Sequence, residues 1–92
     1  MTINQPECET YANGNKYWYL NGILHRDDGP AVECVDGEKH WYVNGRCHRN
    51  DGPAVEFANG GTEYWINGNH IPQLNNMKIY GKENLEKLLC LI

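Results

Sequence analysis

The sequence of 92 residues has no apolar run that approaches the roughly 18 residues of a membrane-spanning helix. Its opening residues, MTINQPECET, also lack the charged and apolar regions of a signal peptide. We therefore expect no membrane association and a cytosolic location. A chain of this length can form one domain, covering residues 1–92, with a modest hydrophobic core.

Ligand-binding motifs are also missing. The four cysteines, at positions 8, 34, 47 and 90, form no CxxC pair and no zinc-ligand spacing, and the chain has no glycine-rich phosphate loop. Reduced thiols are the expected state of cysteines in a cytosolic protein. We expect no metal site and no cofactor.

Basic residues are scarce: eight Lys and Arg stand against twelve Asp and Glu, and the formal net charge is −4. The excess of acid lies in residues 1–72, whereas residues 73–92 carry three lysines and two glutamates. Affinity for nucleic acid rests mainly on neutralising phosphates, so this composition disfavours a general nucleic-acid binder. A protein partner is favoured, although a few basic side chains could touch a nucleic-acid backbone within a mixed interface.

The chain does contain a 23-residue internal repeat. The segment WYLNGILHRDDGPAVE at 18–33 returns as WYVNGRCHRNDGPAVE at 41–56. The third copy is degenerate, because EYWING puts Tyr64 in the tryptophan column and NHIPQLNN replaces the HRxDGPA segment. The repeats cover about 9–31, 32–54 and 55–76.

Each repeat contains two turn signals, an Asn-Gly or Asp-Gly at 13–14, 36–37 and 59–60 and an Asn-Gly at 21–22, 44–45 and 67–68. Between alternating apolar residues, these dipeptides are typical of two-residue hairpin turns with positive φ at both positions. We therefore predict a mainly β (α+β) fold, an antiparallel β-meander of stacked hairpin repeats. The predicted strands are 9–12, 15–20, 23–26, 31–35, 38–43, 46–49, 54–58, 62–66 and 69–71.

An open sheet with one apolar face needs a cover. The C-terminal residues Leu85, Leu88, Leu89 and Ile92 recur at helical spacing after Gly81. We predict a short C-terminal helix near 82–91 that packs on the sheet, with 77–80 extended before it.

Two-residue turns would also set the register, with residue 34 opposite 39, 43 opposite 46 and 41 opposite 48. This register predicts a core face and an outer face, with Cys34 and Cys47 on opposite faces and therefore unable to form a disulfide. The predicted core face carries Trp18, Leu20, Val32, Cys34, Trp41, Val43, Val55, Phe57, Tyr64 and Ile66. The predicted outer face carries Tyr19, Leu24, Arg26, Glu33, His40, Tyr42, Cys47, Arg49, Glu56 and Trp65.

Candidate partner-binding residues lie on the outer face: Tyr19, Tyr42, Trp65, Arg26 and Arg49. Aromatic residues and arginine are enriched at protein interfaces and their hot spots. The alternative, which stays open, is that the aromatic side chains pair across strands only to stabilise the sheet. In the basic tail, Lys78 and Lys82 are candidate contacts to RNA phosphates.

The tetrapeptides HRDD at 25–28 and HRND at 48–51 bring histidine and aspartate together, as acid–base pairs and metal sites do. A structural role is favoured, because a catalytic group is needed once and this tetrapeptide recurs with its turn. Aspartate is then expected to cap the loop through backbone N–H groups, and histidine to flank the tryptophan. We predict no catalytic residue and no enzymatic activity.

The unit WYxNGxxHRxDGPAxE resembles the MORN-type repeat variants found in many small bacterial and phage proteins, over about 18–71. The resemblance implies a module that mediates contacts and does not imply one particular activity. Because the third copy lacks HRxDGPA, any role of that motif is confined to 25–33 and 48–56.

The chain as a whole, with its length, acidic body and KENLEKLLCLI end, also resembles phage anti-CRISPR proteins directed at the type I-F (Csy/Cascade) surveillance complex. This resemblance implies a non-enzymatic inhibitor in the cytoplasm of the bacterial host. It would bind the assembly of Cas proteins and guide RNA, with direct guide RNA contact left open, and block recognition of target DNA. The alternative is a MORN-like interaction module that acts as an antitoxin or scaffold for another protein. The Cas subunit and the oligomeric state stay open, since an open meander leaves edge strands that could pair between chains.

Overall fold

The computed structural model describes residues 5–92 and shows a mainly β protein with a C-terminal helix, which confirms the predicted fold class. All strand pairs are antiparallel. The strands are β1 (Glu7–Thr10), β2 (Lys16–Leu20), β3 (Ile23–Leu24), β4 (Val32–Glu33), β5 (Lys39–His40), β6 (Tyr42–Val43), β7 (Arg46–Cys47), β8 (Val55–Glu56), β9 (Thr62–Glu63), β10 (Trp65–Ile66) and β11 (Asn69–His70). A 3₁₀ turn at Pro72–Leu74 and the helix α1 (Lys82–Leu89) follow.

The hairpins form two parallel rows. One row is a sheet with the order β1-β2-β4-β5-β8-β9, and the other row contains the hairpins β2-β3, β6-β7 and β10-β11, of which the first shares β2 with the sheet. Backbone hydrogen bonds link neighbours in the second row, since the Gly45 N–H donates to the Leu24 carbonyl and the Gly68 N–H donates to the Cys47 carbonyl, each at 2.8 Å. Each repeat therefore contributes one hairpin to each row. Consequently the predicted strands 38–43 and 62–66 are interrupted at Trp41 and Tyr64, where the chain passes between rows.

The turns of the second row have the predicted type. Asn21, Asn44 and Asn67 have φ between 50° and 52°, and the glycine after each also has positive φ. Positive φ at both central residues is what a type I′ turn requires, and asparagine tolerates that region better than most residues. Here the register is also as predicted, with Val43 opposite Arg46.

The turns of the first row differ from the prediction. The Cys34 N–H donates to the Glu38 carbonyl and the Gly37 N–H to the Cys34 carbonyl, so the loop contains three residues, 35–37. Only the glycine of this loop has positive φ, while the Asp36 carboxylate accepts the Glu38 N–H at 2.9 Å. This is a type I turn closed by a glycine bulge, and it shifts the register by one residue. Residue 39 therefore pairs with Glu33 and not with residue 34.

The register shift overturns the predicted assignment of faces, because a shift of one residue moves every side chain of a strand to the other face. Val32 lies directly opposite His40, although the two were predicted on different faces. Cys34, two residues from Val32, falls on the same face as Cys47 and not on the opposite one. The four cysteines are nevertheless free.

The core is also smaller than predicted. Of the ten residues of the predicted core face, only Val32, Val55 and Tyr64 are buried, and the others are half-buried. Ala31 and Ala54, which precede the two valines, are fully buried, and Gly52 and Pro53 are buried beside Ala54 in the chain. Sequence reasoning missed these small residues because their burial depends on the crossing segment between the rows.

The C-terminal segment closes the far end of the molecule. Tyr64 packs with Leu74, Ile79 and Leu85 in the main hydrophobic cluster, and Ile71, Leu88 and Leu89 border it. The Tyr64 hydroxyl donates to the Met77 carbonyl and accepts the Ile79 N–H, both at 2.8 Å. The predicted C-terminal helix is thus confirmed, and it covers the repeat that lacks HRxDGPA. Within residues 5–92, no helix has the length and apolar character needed to cross a membrane.

The φ values of the two kinds of turn predict that substitution by glycine costs less stability at Asn44, where φ is positive, than at Asp36, where it is not. Asn44→Ala should lower the free energy of unfolding by about 1 kcal/mol, because alanine disfavours the left-handed region. Asn44→Gly should cost less than Asn44→Ala. Asp36→Gly should instead be destabilising by about 1 kcal/mol, since it removes the acceptor of the Glu38 N–H and relieves no strain. Urea unfolding of the three variants measures this, and equal losses for the two Asn44 variants would contradict it.

The buried hydroxyl of Tyr64 predicts a second stability effect. Tyr64→Phe should lower the free energy of unfolding by about 2 kcal/mol, because the Ile79 N–H loses its acceptor inside the core. Thermal and urea unfolding measure the loss. Tyr80→Phe is the matched control, since Tyr80 is 49% exposed, and it should leave stability nearly unchanged. Similar losses for the two variants would show that the hydroxyl of Tyr64 does not stabilise the packing of the C-terminal segment.

Candidate protein-binding surface

One face of the sheet presents a row of aromatic side chains, called here the tyrosine face. Cross-strand pairing and strand alternation put its members on the same side. Its aromatic and polar members are Tyr17, Tyr19, His40, Tyr42, Glu63 and Trp65, and the buried Val32 and Val55 lie on the same face. The predicted partner-binding residues Tyr19, Tyr42 and Trp65 occupy equivalent positions of the three repeats, and all three are half-buried. The structure therefore brings these three together in one row.

At the N-terminal end of this row, three tyrosines form a cluster. The rings of Tyr17 and Tyr19 stack with their centroids 6.4 Å apart, and Tyr11 packs edge-on against Tyr17 at 5.0 Å. The Tyr11 hydroxyl lies 3.1 Å from that of Tyr19 and donates to the Glu9 carboxylate at 3.1 Å. The hydrogen bond with Tyr19 is the main reason that the pKa of Tyr11 is raised. Sequence reasoning missed Tyr11 and Tyr17, although Tyr17 stands two residues before Tyr19 and must share its face.

At the C-terminal end of the row, Trp65 is held by its neighbours. Its indole stacks on His70, with ring centroids 4.8 Å apart, and the indole N–H donates to the Glu63 carboxylate at 3.0 Å. Both partners lie on the same face as Trp65. The indole is therefore fixed in orientation before any partner arrives, which reduces the entropy lost on binding.

The middle of the row is the least polar part. Tyr42 pairs with Cys47 across the β6-β7 hairpin. Burial raises the pKa of the Tyr42 phenol, and burial followed by the nearby Glu63 carboxylate raises the pKa of the Cys47 thiol to about 11. Both groups are therefore neutral at physiological pH. The tyrosine face combines a neutral aromatic centre with carboxylates at its two ends.

The two arginines predicted as partner anchors are engaged within the chain. The Arg26 guanidinium lies 3.9 Å from the centroid of the Trp18 ring, so the two share a face, contrary to the prediction. Its Nε donates to Asp28, while its Nη1 donates to the Pro30 carbonyl and to Glu33. We call this arrangement the arginine clasp. The second repeat forms it with Arg49, Trp41, Asp51, Pro53 and Glu56.

The clasp also explains the glycine of each DGPA segment. A Cβ added at Gly29 would lie 3.0 Å from Arg26 Cζ, and one at Gly52 would lie 2.8 Å from Arg49 Cζ. Neither glycine has positive φ, so the constraint is space and not backbone conformation. Arginine, aspartate, glycine, proline and glutamate of HRxDGPAxE thus serve one structural unit. Asp28 was expected to cap backbone N–H groups, and it binds the Arg26 guanidinium instead.

The repeated histidines have a backbone partner. Nδ1 of His25 accepts the Asn44 N–H and Nδ1 of His48 accepts the Asn67 N–H, each at 2.9 Å. Nε2 of His25 is therefore the protonated nitrogen, which donates to Asp27 at 2.9 Å. Each histidine ties its repeat to the type I′ turn of the next one. In the part of the chain that the structure describes, no three His, Cys, Asp or Glu side chains converge to hold a metal ion.

The lysines predicted to contact RNA phosphates lie in the C-terminal segment. The Lys78 ammonium donates to the Gly60 carbonyl, in the first-row turn of the third repeat. Lys82 is the first residue of α1 and is exposed. The structure therefore places both beside the third repeat, outside the tyrosine face as defined.

Comparison with known proteins found no relative of this chain. No protein-family model matches the chain, and no curated protein or solved structure is significantly similar to it. The fold itself defines the class, an antiparallel β-repeat protein closed by a C-terminal helix.

The arginine clasp predicts that Arg49 matters to the free protein. Arg49→Met should lower the free energy of unfolding by about 2 kcal/mol, because charge-assisted hydrogen bonds and the stack on Trp41 are lost while the apolar stem is kept. Arg46→Met is the control, since it removes the same charge from an exposed position and should have little effect. Thermal unfolding measures both. Equal melting temperatures for the two variants would show that the arginine clasp does not stabilise the fold.

Proposed function

We propose that the protein is a non-enzymatic binding module that docks on a protein assembly through the tyrosine face. The observation that carries the proposal is the row formed by Tyr19, Tyr42 and Trp65. All three side chains are half-buried and occupy the same position of successive repeats, and stacking on Tyr17 and on His70 orients Tyr19 and Trp65. Aromatic side chains on a rigid surface are the usual anchors of protein interfaces, because they contribute a large contact area and lose little entropy.

The C-terminal segment, with the helix α1, packs elsewhere than on the row formed by Tyr19, Tyr42 and Trp65. The C-terminal segment packs on Tyr64, whereas Trp65 stacks on His70. The helix therefore lies against the third repeat, and none of Tyr19, Tyr42 and Trp65 belongs to the cluster beneath it. Tyr19, Tyr42 and Trp65, each half-buried, are the part of the tyrosine face that we propose meets a partner.

For the partner we propose the type I-F CRISPR surveillance complex, the assembly of Cas proteins and guide RNA. Two features support it: the whole-chain resemblance to phage anti-CRISPR proteins and the net charge of −4, which suits a basic nucleic-acid channel. An acidic inhibitor seated in that channel would block recognition of target DNA in the cytoplasm of the bacterial host. In such a footprint, Lys78 and Lys82 are the residues we propose for direct guide RNA contact.

A second candidate function is that of an antitoxin or scaffold for a different protein. The 23-residue repeat favours it, because the repeat resembles MORN-type modules that mediate contacts in proteins of many roles. Both candidates use the same face, and they differ in the partner.

The decisive experiment measures target-DNA binding by purified type I-F surveillance complex with and without this protein, together with size-exclusion chromatography of the mixture. We expect loss of DNA binding and co-elution. Tyr42→Ala and Trp65→Ala should each weaken inhibition by about tenfold or more, as truncation of an interface anchor does. Val35→Ala is the control, because Val35 is 69% exposed and lies in a first-row turn.

Arg49 variants are unsuitable for this experiment, because the arginine clasp makes them unstable. Unchanged DNA binding without co-elution would reject the surveillance complex as the partner. Inhibition that persists in both aromatic variants would instead reject the tyrosine face as the interface.

A further inference from the structure

The two edge strands of the main sheet, β9 and β1, differ in whether other residues bond to their outer sides. At the β9 edge, Thr62 exchanges hydrogen bonds with Asn76: its N–H donates to the Asn76 side chain at 3.2 Å, and its carbonyl accepts the Asn76 N–H at 2.8 Å. At the other edge, no strand within residues 5–92 pairs with the outer side of β1, and all four residues of β1 are exposed. Within residues 5–92, the repeat array is thus capped at one end and open at the other.

The backbone groups at the open edge can be assigned. Tyr11 donates its N–H to the Asn15 carbonyl, across the turn that joins β1 to β2. Since hydrogen-bonded and non-hydrogen-bonded pairs alternate along an antiparallel ladder, Glu9 and Glu7 also bond to β2. Cys8 and Thr10 therefore direct their N–H and carbonyl groups outwards. These groups form a template for one further strand.

The side chains beside this edge select the charge of an added strand. Glu7 and Glu9 face the same side as Tyr17 and Tyr19, and a hollow of about 320 Å³ lies there. The hollow is lined by Glu7, Glu9, Tyr19, Asn21 and Gly22. Two carboxylates next to a phenol ring suit a long basic side chain, which can place its ammonium or guanidinium on the carboxylates and its stem on the ring.

The same charges disfavour a second copy of this chain. Antiparallel pairing of two β1 strands about Cys8 would set Glu7 of one copy against Glu9 of the other. Like charges directly opposite each other destabilise a strand pair. In a partner strand with alternating basic residues, positive side chains would instead lie opposite Glu7 and Glu9 and attract them.

We propose that the outer edge of β1 is a docking site for an extended partner segment with alternating Lys or Arg residues. The segment adds a strand to the sheet through Cys8 and Thr10, and one of its basic side chains enters the hollow beside Glu7 and Glu9. This mode is strand addition, in which the backbone supplies affinity and alternate side chains supply specificity. The inference goes beyond the proposed function, because it concerns a second surface and holds whichever protein the tyrosine face binds.

The test uses two synthetic seven-residue peptides with the full-length protein. One alternates lysine with valine and threonine, and the other carries glutamate in place of lysine. We expect the basic peptide alone to shift the backbone amide resonances of β1 and to slow amide hydrogen exchange at Cys8 and Thr10. Its dissociation constant should rise at least about threefold between 50 and 200 mM salt, because ion pairs at an exposed edge are screened.

Two variants separate the backbone contribution from the charge contribution. Cys8→Pro removes an outward N–H and no hydrogen bond to β2, so it should preserve the melting temperature and weaken the basic peptide about tenfold or more. The double variant Glu7→Gln with Glu9→Gln should weaken binding and flatten its salt dependence. Glu83→Gln with Glu86→Gln, which removes two charges from α1, is the matched control and should bind like the native protein.

Three results of the peptide experiment would overturn the proposal: no binding of the basic peptide, equal binding of both peptides, or unchanged binding by the double variant at β1. Dimerisation of the free protein through β1 would also overturn it in favour of a second copy. If Cys8→Pro proves unfolded, the double variant still decides the question. DNA binding by the surveillance complex is a separate readout, so failure here and failure of the proposed function are distinguishable.

Discussion

The stacking of an arginine on a tryptophan is the contact around which the repeats are organised. Arg26 lies on Trp18 and Arg49 on Trp41, and each guanidinium also binds a carbonyl and two carboxylates. These bonds hold the segment that carries the chain from the second-row hairpin of one repeat to the first-row strand of the next. A small sheet with two-residue strands has few ladder hydrogen bonds, so the clasp supplies order that the strands alone lack.

The third repeat shows what happens where the clasp is missing. Tyr64 stands in the tryptophan column, and the place of a third arginine segment is taken by the C-terminal residues that pack on Tyr64. A repeat array needs such an end, because each repeat buries its surface only against a neighbour. At the opposite end, no strand in the described part of the chain pairs with the outer side of β1, and the acidic side chains of β1 limit pairing between copies.

The fold class, the helix and the type I′ turns were predictable, because they depend on local signals. Asn44-Gly45 and Asp36-Gly37 have similar sequences, yet only the first forms a two-residue turn. Asn59-Gly60 has the same dipeptide as Asn44-Gly45, yet it forms the three-residue loop of Asp36-Gly37, so the dipeptide alone does not decide the loop length. Because the turn at Asp36-Gly37 was predicted one residue too short, the predicted register was wrong by one residue. The predicted core and outer faces were therefore wrong as well.

The candidate row of Tyr19, Tyr42 and Trp65 was predictable because equivalent positions of a repeat occupy equivalent places, whatever the register. The roles of Arg26 and Arg49 were not, because nothing in their spacing shows that each folds back over a tryptophan. Periodicity and turn residues therefore determined from the sequence alone that this is a capped β-repeat protein. Only the tertiary structure decided which side chains share a face and which edge is open, because those outcomes depend on one-residue registers and on contacts between distant segments.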